Sequence, residues 1–212
     1  MLEAKNLSHK FDYPILDDVC LSLAPKQSIA ITGVSGSGKS TLLHILATLL
    51  KPDSGEIFYH DKPIYHLTQK SQLDIRRYHF GIIFQSHYLF RGFTARENLE
   101  LSAIIAKKTI DPTLLEKISI DNVIDQSVTS LSGGQQQRIS IARVLTKKPK
   151  IIFADEPTGN LDKKTANEVM NTLFDYLKEE NASLLIVTHD EKLANMCDEI
   201  YKLENAKLIQ LK

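Results

Sequence analysis

The strongest constraint on the fold of this chain is a glycine-rich stretch from Gly33 to Ser40, which lies between an apolar run and an amphipathic pattern. The stretch fits the phosphate-binding pattern G-x-x-x-x-G-K-[ST]. The run before it, Ser28–Thr32, predicts a short buried strand, and apolar residues after it recur at helical spacing. These residues are Leu42, Ile45, Leu46 and Leu49. Because strand, glycine loop and helix are the context in which this pattern binds phosphate, a plain Gly-Ser connection is the weaker interpretation.

The loop predicts a site for a nucleoside triphosphate and Mg²⁺. Its glycines allow successive backbone N–H groups to turn toward the phosphates. Lys39 can then reach the β- and γ-phosphates, and the hydroxyl of Ser40 can bind magnesium. The helix that follows directs its positive N-terminal end at the same anion.

Four short apolar runs predict parallel strands that are buried on both faces. Each run ends in a polar residue suited to phosphate, magnesium or water. The runs are 29–31 before Thr32, 81–84 before Gln85, 151–154 before Asp155 and Glu156, and 184–188 before His189. Since ligands of open α/β sheets bind at the carboxyl ends of the strands, we expect these polar residues to meet beside the phosphate loop. There, Asp155 is a candidate metal carboxylate and Glu156 a candidate base.

The segment of roughly 86–148 predicts a helical lobe inserted into this α/β core, with ends uncertain by about 2–4 residues. Helix-opening signals occur at 94–97, 111–112 and 131–135, and the last of these helices should stop before Pro149. Further helices should be capped by Asp162 and Asp190. Residues 1–30 and 56–60 are strand-like and carry turn signals.

Composition excludes several classes of protein. The 212 residues carry 26 basic and 26 acidic side chains, so no bulk charge points to nucleic acid or an acidic membrane. The basic run Lys147–Lys150 is expected to be a solvated loop. Two cysteines form no disulfide framework, and no apolar run approaches the ~20 residues of a membrane span. We therefore expect a protein of the reducing cytoplasm without direct insertion into the membrane.

The stretch Leu131–Gln135, LSGGQ, is identical to the signature of ABC-type ATPases and lies between the phosphate loop and Asp155 in that family's order. In its whole length the chain resembles an ABC transporter nucleotide-binding domain. The resemblance implies one domain over residues 1–212, with a P-loop NTPase core and a mostly parallel sheet. It also implies an N-terminal antiparallel β subdomain and an inserted helical subdomain.

The resemblance also implies roles for particular residues. Lys39, Gln85, Glu156 and His189 would be catalytic, and Ser40, Gln85 and Asp155 would bind Mg²⁺. Asn160 to Asp162 resembles the D-loop. The residues implied to bind ATP are Phe11, Gly33, Val34, Ser35, Gly36, Ser37, Gly38, Lys39, Ser40, Thr41, Ser132, Gly133, Gly134 and Gln135.

Phe11 stands where the family usually has a tyrosine that stacks on adenine, and Tyr13 is a nearby competitor.

Ser132 to Gln135 would face ATP bound by a second copy, so that two chains clamp two ATP molecules head to tail. The implied partners are this second copy and an integral membrane permease. The permease would hold the chain at the inner face of the cell membrane, where Leu89, Phe90 and Phe93 are expected to partly line a cleft for a short cytoplasmic helix. Packing of these side chains inside the helical lobe is the alternative.

The motif 154–162 is similar to the group of lipoprotein-release, macrolide-export and cell-division ATPases, and 93–98 to the lipoprotein-release branch. A soluble ABC-type ATPase acting on DNA or ribosomes is the competing function. It is disfavoured because fewer than fifty residues separate Gln85 from Ser132, which leaves no room for a long coiled-coil insertion. A P-loop kinase of small metabolites would explain neither Ser132 to Gln135 nor His189.

Overall fold

A computed structural model describes residues 1–159 and 161–212. The strands are β1 (Leu2–Lys10), β2 (Pro14–Leu23), β3 (Ser28–Thr32), β4 (Ser54–Tyr59), β5 (Lys62–Pro63), β6 (Phe80–Ile83), β7 (Ile151–Asp155), β8 (Ser183–Val187), β9 (Glu199–Glu204) and β10 (Lys207–Gln210). The helices are α1 (Lys39–Leu46), α2 (Gln69–Tyr78), α3 (Ala95–Ala106), α4 (Pro112–Lys117), α5 (Gly133–Thr146), α6 (Lys163–Glu180) and α7 (Glu191–Asn195). Short 3₁₀ turns occupy Ile64–His66, Asp121–Val123 and Val128–Ser130.

The strands form two sheets. The first has the order β2-β1-β4-β5, and its pairs are antiparallel. The second has the order β10-β9-β3-β8-β7-β6, in which only the β10–β9 pair is antiparallel among the described strands. The predicted α/β class, with an N-terminal antiparallel sheet and a mostly parallel sheet, is confirmed.

The parallel sheet separates two apolar cores. Successive residues of β7 alternate between them, with Ile151 and Phe153 in the core that contains α1 and the antiparallel sheet. Ile152 and Ala154 belong to the other core, which contains α5 and α6. All five residues of β7 and all five of β8 are buried. A continuous apolar run is the pattern expected of a strand covered on both faces, so the sequence interpretation of these strands is confirmed.

Helix caps lie where the sequence predicts them. Thr94 and Ser132 each cap a helix through a reciprocal capping box, α3 with Glu97 and α5 with Gln135. The remaining predicted caps, Asp111, Asp162 and Asp190, accept backbone N–H groups of α4, α6 and α7. Side-chain caps use only local contacts, which explains why a sequence pattern locates them.

Two local expectations are wrong. The helical pattern through Leu49 ends at Leu46, because Thr48 has a left-handed backbone (φ 61°), and the Leu49 side chain is exposed. In the basic run, Lys148 and Lys150 are exposed as expected, but Lys147 is half-buried, and its ammonium group donates to the carbonyls of Arg76 (3.1 Å) and Phe80 (2.9 Å). Burial, together with the nearby Arg143, lowers the pKa of Lys147 to about 8.

Candidate functional site

The phosphate loop joins the carboxyl end of β3 to the N-terminus of α1. Gly38 is the N-cap of α1, has a left-handed backbone (φ 98°) and provides no side-chain cap, so the first N–H groups of the helix lack intrahelical partners. The Lys39 side chain folds back, and its ammonium group donates to the carbonyl oxygens of Gly33 (2.9 Å) and Val34 (2.8 Å). Lys39 is 9% exposed, so its charge is held inside the loop where an anion would lie.

The position of Gly38 is closed to any larger residue. A Cβ atom at Gly38 would lie 2.3 Å from Cγ2 of Ile15 in β2. A Cβ atom at Gly36 (φ 79°) would meet no described atom within 4 Å. The antiparallel sheet therefore presses on one side of the loop, at its entry into α1, and leaves the tip open.

Asp155 ends β7 directly beside α1. Its Oδ1 atom accepts a hydrogen bond from the Ser40 hydroxyl at 3.0 Å, and the residue is 8% exposed. A hydroxyl and a carboxylate are oxygen ligands, and Mg²⁺ binds one or two carboxylates while it keeps several waters. The two side chains therefore fit a magnesium site at the edge of the phosphate loop.

Glu156 follows Asp155 and turns the chain away from the sheet. Its backbone is left-handed (φ 44°), and its N–H donates to the carbonyl of Val187 at 2.9 Å. This contact ties Glu156 to the end of β8, which His189 also follows. The His189 Nδ1 atom lies 2.7 Å from Oε1 of Glu156. The carboxylate is mostly buried, whereas the His189 side chain is 75% exposed.

One open cleft collects most of the predicted site residues. Its lining includes the loop, the strand ends and the aromatic side chains that follow β1. The predicted residues that line it are Phe11, Gly33, Ser35, Gly36, Gly38, Lys39, Ser40, Thr41, Gln85, Asp155, Glu156 and His189, together with the competitor Tyr13. Phe11 is 60% exposed and Tyr13 is 62% exposed, so both rings can reach a ligand in the cleft.

Two predicted loop residues contribute differently. Val34 uses its carbonyl oxygen, which accepts from Lys39 and from the N–H of Ser37, while its side chain is exposed. The Ser37 hydroxyl is buried and has no hydrogen-bond partner among the described residues.

The signature residues lie at the N-terminus of α5. Ser132 and Gly133 are exposed, and the Ser132 hydroxyl accepts from the N–H of Gln135 at 3.3 Å. Within the described part of the chain, none of Ser132, Gly133, Gly134 and Gln135 lines the cleft. A helix N-terminus that exposes backbone N–H groups can bind an anion from outside the molecule. In the D-loop, Asn160 lies outside the described residues, and Leu161 packs against the core that contains α5 and α6.

Comparison with known proteins identifies the family. Residues 16–159 match the family model described as ABC transporter. This match spans more than half of the 212 residues. The chain belongs to the ABC transporter family.

Similar ABC proteins are lipoprotein-releasing system ATP-binding proteins. LolD of Rickettsia bellii is 43% identical over 200 residues, which cover 92% of this chain and 88% of that protein. LolD 2 of Chlorobaculum tepidum is 37% identical over 225 residues, which cover 98% of this chain and 91% of that protein. Among solved structures, the dimeric post-hydrolysis state of the ATP-binding cassette MJ0796 bound to ADP and Pi matches with a TM-score of 0.90. It is 31% identical and covers 100% of this chain and 99% of that one.

As an ABC ATPase, the chain binds and hydrolyses ATP. These relatives do not favour the alternative of an ATPase acting on DNA or ribosomes. None of the helices within 1–159 and 161–212 combines the length and the apolar character that are needed to cross a membrane.

The segment after Gln85 borders a second groove of this ABC domain. The groove is lined by Ser86, His87, Tyr88, Leu89, Arg91, Val128, Thr129 and Gln136. Leu89 lines this groove, but it is half-buried and packs against the core that contains α5 and α6, which was the alternative expectation. Phe90 and Phe93 do not line this groove; they are exposed and lie ring to ring, with centroids 5.8 Å apart.

Sequence reasoning missed two side chains of α5 that hold the same segment. Gln137 is 1% exposed, and its amide contacts the backbone beside Gln85 and the carbonyl of Pro157. Arg143 donates to the carbonyls of Tyr88 (2.7 Å) and His87 (3.3 Å), and burial lowers its pKa. For Gln137 the available signal was a polar residue one helical turn before the apolar Ile141 of α5.

Proposed function

We propose that this protein is the ATP-hydrolysing subunit of a transporter that releases lipoproteins, and that it drives a separate membrane permease. The observation that carries the proposal is the convergence of Lys39, Ser40, Asp155, Glu156 and His189 on one cleft at the carboxyl ends of the parallel strands. The similarity to LolD proteins supports the cargo. The 212 residues act as one ABC ATPase domain, in which 86–148 form the helical subdomain.

In this proposal, the loop holds the triphosphate. Backbone N–H groups from Gly33 to Thr41 surround the β-phosphate, and the Lys39 ammonium group exchanges its two carbonyl partners for phosphate oxygens. Ser40, Asp155 and Gln85 are the side chains that would hold Mg²⁺. When bound, the ion neutralises charge on the β- and γ-phosphates.

Glu156 and His189 act at the γ-phosphate. Glu156 is the base that accepts a proton from the attacking water, and Gln85 orients the same water. His189 contacts the γ-phosphate. For this role the ring has to leave its 2.7 Å contact with Glu156, which would also free the carboxylate to receive water. The high exposure of the His189 side chain allows such a rotation.

The base of the nucleotide stacks on an aromatic ring at the end of β1. Phe11 is the first candidate and Tyr13 the second, since both line the cleft. Stacking uses the face of the ring and does not require a hydroxyl group, so a phenylalanine is sufficient.

The protein acts as a dimer in the ATP-bound state. Ser132, Gly133, Gly134 and Gln135 of one copy contact the γ-phosphate held by the other. This arrangement is supported by the exposure of the α5 N-terminus and by the dimeric state of MJ0796. The permease binds beside the segment that follows Gln85 and keeps the protein at the inner face of the cell membrane.

The chemical part of the proposal is tested by Glu156→Gln. The amide cannot act as a base, so ATP binding should persist while hydrolysis falls at least about 100-fold. Steady-state phosphate release and nucleotide binding to the purified protein measure the two properties separately. Hydrolysis by Glu156→Gln at the wild-type rate would refute the role of Glu156.

The assembly part is tested by light scattering. Without nucleotide the protein should be largely monomeric, and Glu156→Gln with ATP should form dimers. Adding Ser132→Arg should abolish these dimers, because a bulky side chain then fills the clamp. A dimer that forms to the same extent without nucleotide and is unaffected by Ser132→Arg would refute the clamp.

A further inference from the structure

The amide of Gln137 is a buried junction between three segments of the chain. Its Nε2 atom donates to the carbonyl of Pro157 at 2.7 Å and lies 3.5 Å from the carbonyl of Phe84. Its Oε1 atom is hydrogen-bonded to Nδ1 of His87. Since Gln137 is 1% exposed, water does not substitute for these partners. A buried amide that lost them would remain unsatisfied, which is costly.

These partners determine the orientation of the amide. The carbonyl oxygens of Pro157 and Phe84 can only accept, so the NH₂ group of Gln137 must face them. Oε1 then faces His87, and Nδ1 of that ring must carry a proton. A reversed amide would place its oxygen against the carbonyl of Pro157, so only one arrangement satisfies the contacts.

The three contacted residues are close in sequence to Gln85 and Glu156, the two residues that are proposed to orient and deprotonate the attacking water. Pro157 directly follows Glu156, Phe84 directly precedes Gln85, and His87 lies two residues after Gln85. Gln137 thus connects the Phe84 carbonyl before Gln85 and the His87 ring after it to the Pro157 carbonyl beside Glu156. Arg143 also holds the segment after Gln85, since its guanidinium donates to the carbonyls of His87 and Tyr88.

The attached segment needs this support. Tyr88 has a left-handed backbone (φ 46°), a conformation that costs an aromatic residue about 1–2 kcal/mol. Such a conformation persists where surrounding contacts determine it. The contacts here are the Arg143 bond to its carbonyl and the packing of its ring on Phe84, with centroids 5.0 Å apart.

We infer that Gln137 is a positioning residue for ATP hydrolysis, whose amide fixes Gln85 and Glu156 at the spacing that a bound water requires. The inference rests on the proposed roles of Gln85 and Glu156. Gln137 itself does not line the nucleotide cleft of the described chain. Its loss should therefore affect the rate of the chemical step and leave ATP binding intact.

The test compares Gln137→Met and Gln137→Glu with the wild-type protein. Methionine has a similar length and forms none of the hydrogen bonds, and glutamate replaces the donor to Pro157 with an acceptor. A misplacement of about 1 Å costs about 100-fold in rate, so kcat should fall about 10- to 100-fold. The KM for ATP should change less than about threefold, because uniform nucleotide binding is retained.

Thr146→Val is the matched control. Thr146 is buried on the same helix, but its hydroxyl donates only to the carbonyl of Ala142 in the preceding turn. This variant removes a buried polar group without touching the segments beside Gln85 or Glu156. Its kcat should equal that of the wild type, and equal losses in Thr146→Val and Gln137→Met would overturn the inference.

Further variants separate positioning from folding. His87→Phe retains a ring but removes the Nδ1–H donor, and it should lower kcat in the same direction as Gln137→Met. The double variant should lose less than the product of the two single losses, because both remove one network. If Gln137→Met does not fold, His87→Phe alone tests the positioning role, and an unchanged kcat in that variant overturns the inference.

The two proposals can fail independently. An inactive Glu156→Gln protein beside a Gln137→Met protein with wild-type kcat would refute the positioning role and leave the proposed function standing. A fully active Glu156→Gln protein would refute the proposed role of Glu156, and a wild-type protein without ATPase activity would refute the proposed function itself. Amide hydrogen exchange from Gln85 to Tyr88 gives a second readout, which should accelerate in Gln137→Met and stay unchanged in Thr146→Val.

Discussion

Replacing Gly38 with alanine should destabilise the protein much more than the same change at Gly36. Both glycines have left-handed backbones, in which alanine costs about 1–2 kcal/mol. At Gly36 this is the whole effect, because a Cβ atom would meet nothing described within 4 Å. At Gly38 the new methyl group would also lie 2.3 Å from Cγ2 of Ile15.

The magnitude follows from that distance. Carbon atoms in contact normally lie about 3.5–4.0 Å apart, so more than about 1 Å has to be recovered by moving the loop or β2. Overpacking of this kind costs about 1–3 kcal/mol. The free energy of unfolding should therefore fall by about 2–5 kcal/mol in Gly38→Ala, against about 1–2 kcal/mol in Gly36→Ala. For a chain of this length each kcal/mol corresponds to about 2–4 °C in Tm.

Urea and thermal unfolding of the nucleotide-free protein would measure both variants. Ile15→Ala removes the colliding Cγ2 atom, so Gly38→Ala should cost only about 1–2 kcal/mol in that background. The difference between the two backgrounds isolates the collision from the backbone strain. An equal cost of Gly38→Ala with and without Ile15→Ala, or equal effects at Gly36 and Gly38, would show that β2 does not press on the loop.

Three further predictions concern the ligand and the partner. Lys39→Ala should weaken ATP binding at least about tenfold by titration calorimetry, since a charge-assisted contact is lost, and an unchanged Kd would contradict its role. Phe11→Ala should weaken ATP binding by about 1–3 kcal/mol because base stacking is lost, whereas Tyr13→Ala should change the Kd little; the reverse pattern would assign adenine to Tyr13. Phe90→Glu and Phe93→Glu should abolish stimulation by the permease and retain basal ATPase activity, because both rings are exposed; normal stimulation in reconstituted vesicles would place the contact elsewhere.

The elements that a sequence pattern can locate are those whose stability is local or whose burial is complete. The strands that end at Asp155 and before His189 are continuous apolar runs, and they are buried throughout. Helix α2 had no such signal, since none of its residues is fully buried. Strand β9 was also not predicted, because only Ile200 and Leu203 of its six residues are buried.

The candidate site divides in the same way. The loop and the strand ends follow from motifs, because their residue types and spacing are dictated by phosphate and metal chemistry. The partners of Gln137 and Lys147 lie between 20 and 71 residues away along the chain, and no periodicity encodes such pairs. Periodicity predicts that a position is buried, but the identity of the atom that satisfies a buried polar group depends on the packed fold.

The two hydrogen bonds from Lys39 to Gly33 and Val34 have a consequence for turnover. A buried ammonium group without partners would cost several kcal/mol, and the folded protein would then depend on a bound anion. Here the empty loop satisfies its own charge. The protein can therefore release its products after each cycle without becoming unstable, and the strength of nucleotide binding reflects an exchange of partners rather than the rescue of an unpaired charge.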